Sequence, residues 1–212
     1  YLMPINSETD VDLNERRLRR YFTRGSFESG GRLFGGFWQE LKKEQRKNII
    51  IDDEEVVSLD YSQMRSRILY RFCGTRPTTQ DCYRISGYER YRSGIKKVFN
   101  AMTFAENPMS RYPKGVKQMF NEDISFQEVS DAIQRYHSGI AHKFFVGIGH
   151  YLQYLESQIL IKVLLGLKEL GIHALPIHDA VLVGKALVDM SKELMEQVFQ
   201  DMANVESWVQ IE

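Results

Sequence analysis

Two apolar stretches of this chain each carry one aspartate where a buried strand should reach the edge of a sheet. Asp60 follows the apolar run of residues 56–59, and Asp179 lies inside residues 176–183. A carboxylate in such surroundings is costly unless a cation or a hydrogen-bond network compensates it. The two positions together therefore predict a shared metal site. Either aspartate taken alone is more simply explained as a strand-end or turn residue.

The pattern of apolar and turn residues predicts an α+β fold. Residues 49–51 and 56–59 indicate a β-hairpin whose turn is the acidic run 52–55. Residues 174–177 and 181–183 indicate two strands joined at His178 and Asp179. Helices are predicted over residues 10–24, 63–72, 126–142, 148–170 and 187–202, with loops at 74–79 and 107–123.

A further helix is predicted near residue 86, because Ser86 and Glu89 have the spacing of a capping box. Its apolar stripe recurs at three and four residues and consists of Tyr88, Tyr91, Ile95, Val98 and Met102. Arg92, Lys96 and Asn100 are spaced by four and form a separate row. Taken by itself, this row can be an exposed basic face of the helix.

Charge is balanced overall but clustered locally. The chain has 28 basic and 28 acidic residues, so the overall basic excess typical of nucleic-acid-binding domains is absent. The predicted helix of residues 10–24 is rich in arginine, and we interpret it as a candidate grip on a phosphate backbone. Its basic residues are Arg16, Arg17, Arg19, Arg20 and Arg24. The run Lys42–Lys47 is more simply a solvated face.

Composition narrows the class of protein. The 212 residues are 43% hydrophobic, enough for one core or two small lobes, and no apolar run reaches the roughly 20 residues that span a bilayer. We expect a cytoplasmic protein of phage, plasmid or bacterial origin. Cys73 and Cys82 are too few for a tetrahedral zinc site and are predicted to be buried thiols. The first residue is Tyr1 rather than Met, which favours a fragment of a longer protein.

Several segments together resemble family A DNA polymerases, the group of bacterial DNA polymerase I. Residues 60–69, which begin Asp60-Tyr61-Ser62-Gln63, resemble the first palm motif, and His178-Asp179 the third. Arg92-Ser93-Gly94-Ile95-Lys96 resembles the opening of the fingers helix. Gly30-Gly31-Arg32-Leu33 resembles the Gly-Arg-Leu element upstream, and Glu206-Ser207-Trp208 the end of such chains. The resemblance covers residues 29–212 in the order of the family.

The resemblance implies a domain organisation and an activity. Residues 29–72 and 147–212 would form an antiparallel palm sheet with packed helices, residues 73–146 a helical fingers subdomain, and residues 1–28 a thumb remnant. The implied activity is template-directed addition of dNTPs to a primer 3′-hydroxyl, with two Mg²⁺ ions, or Mn²⁺ as a substitute, about 3.5–4 Å apart. The implied partners are a DNA primer-template and dNTPs, without a membrane.

The resemblance also assigns roles to single residues. Asp60 and Asp179 would be the catalytic metal ligands, helped by the carbonyl of Tyr61. The residues expected at the nucleotide are Arg65, Arg92, Lys96, Asn100 and Phe104. The residues expected at the primer or template are Arg32, Arg67, Gln153, Glu156 and His178. For Gln153 and Glu156, which lie one turn apart on the long helix, the alternative is a hydrogen bond at the helix edge.

Three positions depart from the family pattern. Ala180 stands where the family has a Glu after the third-motif Asp, so one acidic group near the metals is missing. Arg65 replaces the Glu that excludes ribonucleotides, which puts sugar selection in doubt. Asn100 occupies the aromatic position after the fingers Lys, and Phe104 the later one.

Two further functions compete with the polymerase hypothesis. One is a catalytically inactive, polymerase-like nucleic-acid-binding module that acts with a replication or defence partner. The other is a metal-dependent nuclease, which also needs paired acids but which the row of Arg92 and Lys96 suits less well. With fewer than 30 residues ahead of the Gly-Arg-Leu element, we expect poor processivity unless a partner protein supplies grip.

Overall fold

The sheet that carries Asp60 belongs to one of two compact units into which the chain divides. The computed structural model describes residues 2–4, 11–204 and 208–211, so Glu206 and Ser207 of the terminal motif lie outside the described residues. The first unit comprises residues 1–64 and 153–212, and the second comprises residues 65–152. The fold is α+β, as the sequence predicts.

Antiparallel strands build the main sheet of the first unit. Its strand order is β1-β4-β5-β7-β6, and β8 also pairs with β5. The strands are β1 Leu2–Pro4, β4 Ile49–Ile51, β5 Glu54–Tyr61, β6 Ala174–Ile177, β7 Ala180–Gly184 and β8 Val209–Ile211. β2 Arg19–Thr23 and β3 Ser26–Phe34 form a separate two-stranded sheet.

Alternation along the strands gives the main sheet two buried faces. On one face, Leu182 of β7 packs in an apolar cluster with Phe37 and Trp38 of the short helix α1, Phe37–Glu40. A second short helix, α2 Lys43–Arg46, follows. On the other face, the buried Tyr61 of β5 donates its hydroxyl hydrogen to the Met195 carbonyl at 2.6 Å. Met195 belongs to the last helix, α7 Val188–Ala203.

Two-residue turns fix the hairpins. Asp52 and Asp53, both with positive φ, join β4 to β5, as expected of a type I′ turn. The predicted hairpin is thus confirmed, although its turn is two residues long and Glu54 and Glu55 belong to the strand.

The predicted helix over residues 10–24 is wrong. Arg24 and Gly25, both with positive φ, form a two-residue turn between β2 and β3, and residues 19–23 are a strand. A turn with two positive φ values matches the twist of two paired strands, and a right-handed helix cannot continue through it. The five arginines therefore do not share one helical face.

The second unit is helical. Its helices are α3 Met64–Phe72, α4 Arg92–Phe104, α5 Phe126–Tyr136 and the start of α6 Gly149–Glu169, the long helix that runs on into the first unit. The unit is packed around aromatic contacts, such as that between Tyr83 and Phe99, whose ring centroids are 5.5 Å apart. The predicted apolar stripe of α4 is buried at Tyr91, Ile95, Val98 and Met102.

Helix ends differ from the sequence predictions at two places. The helix expected to begin near Ser86 starts at Arg92, after a 3₁₀ turn at Glu89–Tyr91 that lacks a side-chain cap. The predicted Ser86–Glu89 capping box is absent because the Glu89 side chain accepts a hydrogen bond from the Gly87 amide instead. The helix expected over residues 126–142 ends at Tyr136. Ser125 and Glu128 make a complete capping box at its start.

Two absences bear on the class of protein. Among the residues that the structure describes, no helix has the length and apolar character needed to cross a bilayer. Cys73 and Cys82 are both free thiols; Cys82 is buried as predicted, whereas Cys73 is half-buried.

The buried His137 should make the free energy of unfolding depend on pH. Burial lowers the pKa of His137 from 6.5 to about 4, and Nδ1 lies 2.7 Å from the Tyr70 hydroxyl. In the unfolded chain the imidazole of His137 becomes protonated below about pH 6.5, whereas in the folded chain it becomes protonated only below about pH 4. We therefore expect the free energy of unfolding to fall by roughly 3 kcal/mol as the pH drops across that window.

Urea unfolding at several pH values measures this effect. His137→Gln should flatten the pH dependence, whereas the exposed His142→Gln should leave it unchanged. An equal slope in wild type and His137→Gln would contradict the assignment.

Candidate active site

Strand pairing brings the two predicted metal-binding aspartates to one place in the first unit. Asp60 of β5 is the cross-strand partner of Ala180 of β7, the residue that follows Asp179. Cross-strand Cα atoms are about 5 Å apart, and Asp179 is one Cα step of about 3.8 Å further along. The Cα atoms of Asp60 and Asp179 are therefore within about 9 Å of each other.

The surroundings of Asp60 are those of a sheet interior. Its backbone is paired on both sides, with Ala180 of β7 and Gln210 of β8. Its Oδ1 atom is shielded from solvent. Tyr61 comes at the end of β5, with its ring on the opposite face. Two carboxylates and a main-chain carbonyl are hard oxygen donors of the kind that Mg²⁺ takes, and they leave coordination positions for water and phosphate.

The described residues hold no larger metal cluster. Nowhere in residues 11–204 and 208–211 do three or more His, Cys, Asp or Glu side chains come together to hold an ion.

A tight hairpin presents Asp179. His178 and Asp179 form the two-residue loop between β6 and β7, and the non-glycine His178 has a φ of 58°. Such a left-handed conformation costs free energy, which the flanking strand pairs offset. Desolvation is the main cause that lowers the pKa of His178, and the positive charge of Arg32 adds to it, while Asp179 opposes both. The imidazole is therefore held towards its neutral form.

Arg32 of β3 forms an ion pair with a buried glutamate of α6. Its Nη2 atom is 3.2 Å from Oε2 of Glu156 on α6, whose side chain is only 3% exposed. Of the two α6 residues predicted to touch the primer-template, Glu156 is thus buried against Arg32, and Gln153 is half-buried. Glu156 holds Arg32 in place, and contact of either α6 residue with nucleic acid stays a prediction.

The second unit carries the predicted nucleotide row on one side of α4. Arg92 and Lys96 are exposed, while Asn100 and Phe104 are half-buried further along the helix. Arg65 of α3 joins this row: its guanidinium stacks over the Phe104 ring at 4.9 Å and contacts Asn100 Oδ1 at 3.5 Å. The structure thus brings together Arg65 and Asn100, two of the three positions that depart from the family pattern, with Phe104.

Asp81 fixes the Arg92 guanidinium. Arg92 Nε donates to Asp81 Oδ2 at 2.6 Å, and the guanidinium lies over the Tyr83 ring at 5.8 Å. Asp81 is anchored in turn because its Oδ1 accepts the Tyr83 amide at 3.0 Å. Desolvation raises the pKa of Asp81, but the bonds from Arg92 and Tyr83 outweigh it, so the net pKa is lowered. Since the bond to Asp81 uses Nε alone, the Nη groups remain to meet an anion in a forked geometry.

Sequence reasoning missed Asp81. An Asp whose side chain accepts the amide two residues later is an Asx turn, and the sequence could have suggested that local turn. No sequence pattern linked it to Arg92, eleven residues away.

Arg67 of α3, one of the residues predicted at the primer, is buried. Its side chain is only 6% exposed, and its Nη2 atom donates to the Gln80 carbonyl at 3.0 Å. Arg67 therefore secures the 73–88 loop to α3. Its contact with a primer stays a prediction.

Comparison with known proteins identifies a fold but no family. No family model matches the chain, and no curated protein is significantly similar to it in sequence. A solved structure does match: the POL domain of Pol1 from M. smegmatis, in complex with DNA primer-template and dNTP. The TM-score is 0.54 at 14% identity, and the match covers 88% of this chain and 45% of that chain. The chain thus has a polymerase-like fold and spans less than half of that structure.

The Arg32–Glu156 pair should be strongly coupled. Arg32→Met leaves the Glu156 carboxylate buried without its cation, and we expect a loss of about 3 kcal/mol in unfolding free energy. Adding Glu156→Leu should restore most of that loss, because the double variant buries neither charge. Denaturant unfolding of the wild type, both single variants and the double variant measures the coupling. Additive effects of the two substitutions would show that the ion pair does not hold Arg32.

Proposed function

We propose that this chain is a template-directed DNA polymerase that adds dNTPs to a primer 3′-hydroxyl. The observation that carries the proposal is the pairing of Asp60 with Ala180, which places two carboxylates from distant parts of the sequence at one end of a sheet. The polymerase-like fold supports it, as does the DNA primer-template and dNTP bound in the matching structure.

Asp60, Asp179 and the Tyr61 carbonyl would hold two divalent cations, Mg²⁺ or in its place Mn²⁺. Bound there, the cations would supply activation of the primer hydroxyl and neutralisation of charge on the phosphates. The chain itself contributes rigidity: β5 is paired on both sides at Asp60, and Asp179 is set in a two-residue loop. Such preorganisation keeps the carboxylates in place before substrate arrives.

Arg92 and Lys96 would hold the triphosphate of the incoming nucleotide. Both are exposed on the same side of α4, so a polyanion can reach them. Arg92 is oriented by Asp81, which reduces the side-chain entropy lost on binding. The ammonium of Lys96 adds a point charge one helical turn along.

Arg65, Asn100 and Phe104 would lie at the sugar and base of that nucleotide. Arg65, which stacks on Phe104, stands at the position where the family pattern has a Glu. A guanidinium offers hydrogen-bond donors to the oxygen of a 2′-hydroxyl, whereas the Glu of the family pattern crowds the 2′-position. We therefore propose that this chain accepts ribonucleotides more readily than the family pattern implies.

The polymerase proposal predicts a metal-dependent extension activity that needs both aspartates. In primer extension with labelled dNTPs and Mg²⁺, Asp60→Asn and Asp179→Asn should each reduce the rate at least about 10³-fold, because several kcal/mol of charge stabilisation is lost. Asp201→Asn, at an exposed carboxylate on α7, is the matched control and should extend normally.

The main competing function is a catalytically inactive polymerase-like module that binds nucleic acid with a replication or defence partner. Ala180 and Arg65 favour it, because each removes a carboxylate that the family uses. Absence of extension by the wild type, together with intact DNA binding, would establish that function instead.

Arg92 should matter for nucleotide affinity. Arg92→Gln removes the guanidinium, and we expect the KM for dNTP to rise about 10–100-fold, the range for one lost charge-assisted contact. Arg90→Gln is a close control, since Arg90 lies two residues away and stacks on Tyr91. Equal effects of the two substitutions would show that Arg92 acts only through general positive charge.

A further inference from the structure

An exposed strip of aromatic and arginine side chains runs along the β2–β3 sheet towards the His178–Asp179 loop. Arg19 pairs with Phe34, and Tyr21 pairs with Arg32 across the two strands. Cross-strand partners and their diagonal neighbours share one face of a sheet. Arginine and aromatic residues therefore alternate on this face.

The rings of the strip form a continuous chain of contacts. Tyr21 and Phe34 meet edge to face with centroids 5.6 Å apart, and Phe34 meets His178 in the same way at 5.7 Å. The strip thus ends at the loop that presents Asp179.

These rings remain open to solvent. Tyr21 is 51% exposed and Phe34 is 39% exposed. Aromatic side chains normally contribute large buried areas to a core, so adjacent exposed rings mark a surface that binds something. Arg19 is also exposed, and among the described residues no acidic side chain forms an ion pair with it. A partner that fits this surface would offer flat faces to the rings and negative charge to Arg19.

We propose that Tyr21 and Phe34 stack the bases of an unpaired nucleic-acid strand while Arg19 meets its phosphates. Unpaired bases offer free faces to aromatic rings, whereas a duplex covers those faces and presents only edges and backbone. The strip would guide a single-stranded end to the His178–Asp179 loop. This binding goes beyond the proposed polymerase activity and needs neither a metal ion nor a nucleotide.

Binding of a fluorescent 12-nucleotide single strand in EDTA tests the proposal by anisotropy. The double variant Tyr21→Leu with Phe34→Leu keeps apolar bulk but loses the rings, and it should weaken binding about 10–100-fold, since stacking contributes about 1–3 kcal/mol per base. Phe27→Leu is the matched control: Phe27 is 81% exposed on the same hairpin but lies outside the strip, and its loss should leave affinity unchanged.

An oligonucleotide of the same length and charge, with abasic sites throughout, separates stacking from charge on the unaltered protein. We expect wild type to bind it as weakly as the double variant binds the normal strand. Arg19→Gln should lower the slope of log affinity against log salt by about 0.7, the value for one phosphate contact in a single strand.

Other results would overturn the proposal. The first is that wild type does not bind the single strand. The second is that wild type binds the abasic and the normal strand with equal affinity. The third is that wild type binds a duplex more tightly than the single strand and that the double variant binds the duplex equally well. The assay contains neither a free divalent cation nor a free nucleotide, so failure of the polymerase proposal would leave this result intact. Because the abasic strand is tested on wild type, the conclusion holds even if the double variant fails to fold.

Discussion

The pairing of β5 with β7 is the constraint on which the candidate active site depends. Side chains alternate along a strand, so a slip of one residue would move Asp60 from the α1 face to the α7 face. The buried Leu59 and Tyr61 oppose that slip, because it would move both off the α7 face and place Ser58 and Asp60 there instead. The carboxylate position is thus set by apolar residues that never touch a substrate.

Arginines are held by acids in both units, and this has a common physical effect. Glu156 holds Arg32 in the first unit, and Asp81 holds Arg92 in the second. A free arginine loses much rotamer entropy when it binds a phosphate, whereas a tethered one has lost it during folding. In each case one guanidinium edge is committed to the acid, which limits the directions from which an anion can approach. Fixed arginines of this kind favour a defined substrate position over general attraction.

The sequence predicted elements where local signals and burial agree. α6 and the β4–β5 and β6–β7 hairpins were predicted nearly to their ends, because long apolar periodicity or strong turn residues define them. Residues 10–24 were predicted as a helix because Leu13, Leu18, Tyr21 and Phe22 mimic an amphipathic pattern. Residues 19–23 form a strand instead because they pair with β3, and this pairing depends on a neighbouring strand rather than on the local sequence. Contacts such as Arg92 with Asp81 and Arg65 with Phe104 were unpredictable for the same reason.

Ala180 shows how a departure from a family pattern can be structurally favourable. A Glu at this position would face Asp60 directly across the strand pair, and like charges in that arrangement destabilise a sheet. Ala180 is only 8% exposed, so a carboxylate there would also be desolvated. With alanine, the hairpin keeps its register without a cation to compensate the charge. In the proposed metal site, the same change removes one acidic group, so metal binding there would rest on Asp60 and Asp179.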